Sequence, residues 1–143
     1  MADTNTVVSG LLWQGPPRRV LDSARLGQIA LFTSFVLIVE LEDVLKRDKF
    51  ARRLEQAAVT SSDLVLGYAA LATLVSPMAI GPVILADADD DAVLACALAA
   101  QAEAIVSGDR HLLSLRKHEG INILTATELL KELNQRPQQA KKD

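Results

Sequence analysis

Ala104-Ile105-Val106, Ser107-Gly108-Asp109, Arg110-His111-Leu112-Leu113 and Ile121-Asn122-Ile123-Leu124-Thr125-Ala126 follow one another along the last third of the chain. The first and last are short apolar runs bounded by turn formers, which predicts buried strands over 104–106 and 121–124. Between them the spacing predicts a helix over 111–117, and the residues after Leu124 predict another over 126–133. Strand, helix, strand and helix in that order suit parallel strands, because a parallel pair needs a crossover long enough to return over the sheet. The expected fold class is α/β, a parallel sheet with helices packed on it.

Upstream, Asp87-Ala88-Asp89-Asp90-Asp91 opens a helix that runs through 93–101, its acids complementing the positive end of the helix dipole. A strand is expected over 79–85. Before it, residues 49–58 and 63–75 read as a helical hairpin, with Thr60-Ser61-Ser62 as break and cap. Residues 35–46 read as a helix and 29–33 as a buried strand. A further helix over 17–27 follows Gly15-Pro16-Pro17, where proline suits the first turn. No internal repeat or low-complexity stretch interrupts the pattern.

The chain has 143 residues, half of them hydrophobic, with three Phe, one Trp and one Tyr, so the core must be aliphatic. One domain over 1–134 is expected, followed by a polar, disordered tail over 135–143. Residues 64–86 carry no charge across 23 positions, enough in length to span a bilayer, but Ser76-Pro77 and Gly81-Pro82 break the run. The N-terminus has neither the basic nor the apolar segment of a secretory signal, so a cytoplasmic protein outside the membrane is expected. Cys96 lies in an apolar run and reads as a small buried hydrophobe. A formal charge of -3 and the lack of a long basic stripe argue against broad electrostatic attraction to nucleic acid, so such a partner would need bridging metal ions.

In open parallel sheets ligands bind beyond the carboxyl ends of the strands. Asp109 follows the strand over 104–106, Asp91 opens the helix after the strand over 79–85, and Asp3 joins them if a strand precedes it. Glu40 projects from the helix after the strand over 29–33. Four carboxylates converging in one crevice repel each other, which implies a divalent cation. Oxygen ligands without a His or Cys cluster favour Mg²⁺ or Mn²⁺ over Zn²⁺. Such a site can activate water for phosphodiester hydrolysis.

The same residues resemble a family. Asp3-Thr4-Asn5 with Val7-Val8-Ser9-Gly10-Leu11-Leu12, Val39-Glu40-Leu41-Glu42-Asp43-Val44-Leu45, Asp87-Ala88-Asp89-Asp90-Asp91-Ala92-Val93-Leu94-Ala95 and Val106-Ser107-Gly108-Asp109-Arg110-His111-Leu112-Leu113 are similar, in order, to the PIN-domain family. The likeness is greatest to the toxins of bacterial toxin-antitoxin pairs, relatives of the VapC toxins. It implies a sheet sandwiched by helices, Mg²⁺-dependent cleavage of RNA, frequent homodimers and an antitoxin partner. It also implies metal-binding roles for Asp3, Glu40, Asp91 and Asp109, with Ser107 accompanying them and Asn5 orienting a ligand. Only Met1 and Ala2 precede Asp3, where the family has a longer apolar strand, so either the start is truncated or that strand is very short. Phe35-Val36 stand where relatives commonly carry Pro and Glu, which leaves Glu40 as the helix acid facing the site.

Asp87, Asp89 and Asp90 suit capping and solvation, and Asp91 itself could be a cap. His111 and His118 lack partners at ligand spacing. Arg18, Arg19 and Arg110 could touch phosphate or merely face solvent. Leu64, Val65, Tyr68, Leu71 and Leu74 present more apolar surface than one face needs, which suggests a homodimer there. A receiver domain is excluded because Asp3 stands alone and Ile123-Leu124-Thr125-Ala126 has no lysine, and a haloacid-dehalogenase phosphatase fails because Asp3-Thr4-Asn5-Thr6 lacks the second Asp. The remaining rival is a PIN fold that binds partners without cleaving.

Overall fold

The computed structural model describes residues 1–76 and 88–135. Its first helix, α1 (Thr4–Leu12), was not expected from the sequence, since Thr4, Thr6, Val7 and Val8 are poor helix formers. The cap decides the matter: Asp3 is extended, and its Oδ1 accepts from Thr6 N at 3.0 Å. Helix α2 (Pro16–Arg25) returns along α1. The two approach closely, for a Cβ on Gly10 would lie 2.8 Å from Leu21 Cδ1 and 2.9 Å from the Pro17 carbonyl oxygen.

The strand expected over 29–33 is confined to β1 (Phe32–Thr33), after which Ser34 caps α3 (Phe35–Leu45). A 3-10 turn (Asp48–Phe50) runs into α4 (Ala51–Ala57). A capping box between Thr60 and Asp63 opens α5 (Ser61–Leu71), which packs chiefly on α3. Helix α5 stops short of residue 75 because Thr73–Leu74 form β2, which pairs in parallel with β1.

Helix α6 (Ala88–Ala100) leads into β3 (Ala104–Val106), α7 (Arg110–Leu113), β4 (Lys117–His118), β5 (Ile121–Leu124) and α8 (Ala126–Gln135). Strands β3 and β5 pair in parallel, as expected. The helix over 111–117 is a correction: it ends at Leu113, and β4 forms an antiparallel hairpin with β5. Glu119 and Gly120, at φ 51° and 81°, supply the two left-handed positions that a two-residue hairpin turn requires. The strand expected over 79–85 lies outside the described residues. So does the tail expected over 135–143, apart from Gln135, which ends α8.

Before α1 the strand is a single parallel bridge, Ala2 to Val106. Val106 N donates to the Met1 carbonyl at 2.8 Å and Asp3 N to the Val106 carbonyl at 3.1 Å. The result is a mostly helical α/β fold with an aliphatic core in two clusters. One gathers Val7, Val8, Leu12, Leu21, Leu41, Leu45 and Leu129 from α1, α2, α3 and α8, while the other gathers Leu94, Cys96, Ile105, Leu112 and Ile123 from α6 to β5. The apolar surface proposed for dimerisation is largely internal, because Val65 and Tyr68 are core residues and Leu64 and Leu71 are half-buried. The large apolar side chains left exposed there are Leu66 and Leu74, with Phe35, Val36 and Val39 on α3. Among the described residues no helix is long and apolar enough to cross a membrane.

Candidate active site

The bridge between Ala2 and Val106 sets Asp3 and Ser107 side by side at the carboxyl ends of neighbouring strands. Both are buried. Ser107 Oγ donates to Asp3 Oδ2 at 2.5 Å and accepts from Asp109 N at 2.9 Å, while Ser107 N donates to the Leu124 carbonyl at 2.9 Å. The serine thus fixes one carboxylate and the backbone of another acid. Asp109 is half-buried and caps α7, its Oδ1 accepting from His111 N at 2.7 Å. Its second oxygen accepts no hydrogen bond among the described residues.

The Thr4 hydroxyl donates to Glu40 Oε1, tying the half-buried acid on α3 to the first residue of α1. Thr4 was not singled out in the sequence. Its signal was available, since a hydroxyl next to a strand-end Asp sits where it can position a second acid. Asp91 lies half-buried in the first turn of α6, a helix that packs against β1, β3 and α3. Asn5 is exposed on α1 and lines an open cleft of about 400 Å³ with Ser9, Pro17, Ser107, Asp109 and Thr125.

The structure therefore links Asp3, Ser107 and Asp109 directly and joins Glu40 through Thr4. It does not gather the acids into one cluster: among the described residues, no group of three or more His, Cys, Asp or Glu side chains is placed to hold a metal ion. Asp3 and Asp109 each give one carboxylate oxygen to a helix cap. The donor chemistry nevertheless fits a hard divalent cation, being carboxylate and hydroxyl oxygen alone. His111 is exposed and His118 lies in β4, and among the described residues neither belongs to a group of three or more that could hold a metal.

Beneath the site, Tyr68 on α5 is buried with a hydroxyl that has no hydrogen-bond partner among the described residues. Burial pushes its pKa up, and the charges of Cys96 and Asp3 add to the effect. Burial also pushes the Cys96 thiol up to about 11 and lowers the Met1 amine to about 6. Cys96 is thus the inert core residue that its apolar run suggests.

A family model described as PIN domain matches residues 1–111, a span that contains Asp3, Glu40, Asp91, Ser107 and Asp109. No curated protein and no solved structure matches the chain.

Proposed function

Because the chain belongs to the PIN-domain family, whose members are in general metal-dependent nucleases, we propose that it is an endoribonuclease that hydrolyses RNA phosphodiester bonds with Mg²⁺ or Mn²⁺. The observation that carries this reading is the hydrogen-bonded run Asp3–Ser107–Asp109 at the carboxyl ends of adjacent strands, with Ser107 and Asp109 lining an open cleft. Asp3, Glu40, Asp91 and Asp109 are the residues that would hold the ion. When bound, such an ion supplies an activated water and offsets charge on the phosphate. The chain's own contribution is orientation. Ser107 holds the Asp3 carboxylate in one rotamer, Thr4 does the same for Glu40, and Asn5 faces the cleft where it can meet a phosphate or ribose oxygen.

The biological setting follows the same reading: the toxin of a type II toxin-antitoxin pair, working in the cytoplasm, restrained by a cognate antitoxin protein and dimeric. Two copies would meet through Leu66, Leu74 and the exposed face of α3. A second reading, a PIN fold that binds partners without cutting, is supported by the spacing of the acids among the described residues, where no three are placed to hold one ion.

The experiment that separates the two is cleavage of single-stranded RNA by purified protein with Mg²⁺ or Mn²⁺, with chelator, and with Asp109→Asn. The first should cut, and the other two should fall at least a hundredfold. Cleavage that survives both chelator and Asp109→Asn would sink the nuclease assignment. No cleavage with either metal, together with binding of intact RNA, would favour the second reading.

A further inference from the structure

At the far end of α1 from Asp3 lies a group of residues that this reading leaves unused. Trp13, the only tryptophan, caps α1 and is 43% exposed. Its ring meets Phe50 at 6.0 Å between centroids, and the Arg53 guanidinium sits 5.9 Å from its centre. Lys49 lies 5.1 Å over the Phe50 ring. Arg53 Nε donates to the Leu12 carbonyl at 2.6 Å, and Arg18 donates to the carbonyls of Gly10 and Leu11 at 2.6 and 3.2 Å. Three terminal carbonyls of α1 are thereby satisfied by cations, which also suit the negative end of the helix dipole.

That capping needs only part of each guanidinium and none of the neighbouring cations. The segment Lys46-Arg47-Asp48-Lys49-Phe50-Ala51-Arg52-Arg53 holds five cations and one acid in a chain whose formal charge is -3. Of these cations only Lys46 has an ion pair among the described residues, with Glu42. Exposed, unpaired cations beside a half-exposed indole offer two things at once: charge for a phosphate backbone and a flat face for a base. A duplex hides its base faces, so the match is to a single strand.

The route to the acids is also marked. Asn5 and Ser9 are exposed and four residues apart, so they form one stripe along α1 that leads from the cleft toward Trp13. The nine residues of α1 lie between Asp3 and Trp13, ten steps or about 15 Å at 1.5 Å per residue, a distance a few nucleotides span. We propose that the Trp13, Phe50, Lys49 and Arg53 face docks single-stranded RNA, with a base stacked on Trp13 and the backbone on the cations of residues 46–53. The proposal rests on the RNA reading above for its choice of nucleic acid, but not on cleavage.

Because Trp13 is the sole tryptophan, its own emission reports the contact. Titrating the intact chain in chelator with an oligouridylate should quench that emission, whereas a duplex RNA of equal length should not. Affinity should fall with NaCl at a slope that drops by about 0.7 for each phosphate contact removed. Lys49→Glu with Arg52→Glu, both exposed, should weaken binding by at least tenfold, and Trp13→Ala by roughly tenfold with a labelled oligonucleotide. Unquenched emission at saturation, or unchanged affinity in the charge-reversed protein, overturns the proposal. So does polyglutamate quenching as strongly as RNA, which would assign the face to an acidic protein partner. Should the charge-reversed protein not fold, the wild-type quench and salt slope decide alone. Cleavage without quenching would sink this surface and spare the nuclease; quenching without cleavage would do the reverse.

Discussion

The two ends of α1 are built by the same physics with opposite signs. At its start, Asp3 satisfies an orphan amide and is itself held by Ser107, 104 residues away. At its finish, Arg18 from α2 and Arg53 from α4 satisfy orphan carbonyls. Nine helical residues thus carry an acidic pole and a basic, aromatic one. The difference lies in burial. Asp3 is buried at the junction of two strands, so any change there strikes the core, whereas Trp13 and Lys49 are exposed and Arg18 and Arg53 only half-buried, so this pole can change partners at less cost to the fold. One helix can therefore keep rigid chemistry at one end and an adaptable contact surface at the other.

The largest effect that tests this contrast is at the acidic pole. Asp3→Ala removes the cap and leaves the buried Ser107 hydroxyl without its acceptor, which should lower stability in urea unfolding by about 2–4 kcal/mol. Arg53→Ala, at the other pole, should cost only about 1 kcal/mol, since its carbonyl partner can turn to water. Equal losses would break the contrast. A smaller effect of opposite sign should come from Tyr68→Phe, which deletes a buried hydroxyl that has no partner among the described residues. It should raise stability by about 1 kcal/mol. A loss instead would mean that the hydroxyl has a partner. The smallest effect is a null one: with its thiol pushed up to about 11 by burial, Cys96 should resist alkylation at pH 8 until the protein unfolds. Prompt reaction in the native protein would show that the second core cluster opens on its own.

Much of the fold was legible in order along the chain. The β3, α7, β5 and α8 succession, the Ser34 and Thr60 starts, and the burial of Cys96 all follow from local periodicity and capping chemistry. Helix α1 was hidden by β-branched residues whose poor propensity a single cap outweighs. The overlong helix after Asp109 concealed a hairpin whose signal was Glu119-Gly120. Net charge taken over the whole chain obscured the cations of residues 46–53.

Of the proposed site residues, Asp3 and Asp109 were marked in the sequence by their places beside apolar runs, and Ser107 by the family resemblance. Their linkage was not, nor was Thr4 as the partner of Glu40, nor Arg53 as the cap of α1. Periodicity and capping act over a few residues, so a sequence states them directly. A hydrogen bond between residues 3 and 107, or 53 and 12, exists only after strands have paired and helices have packed, and those contacts are set by the fit of distant surfaces that no local pattern encodes.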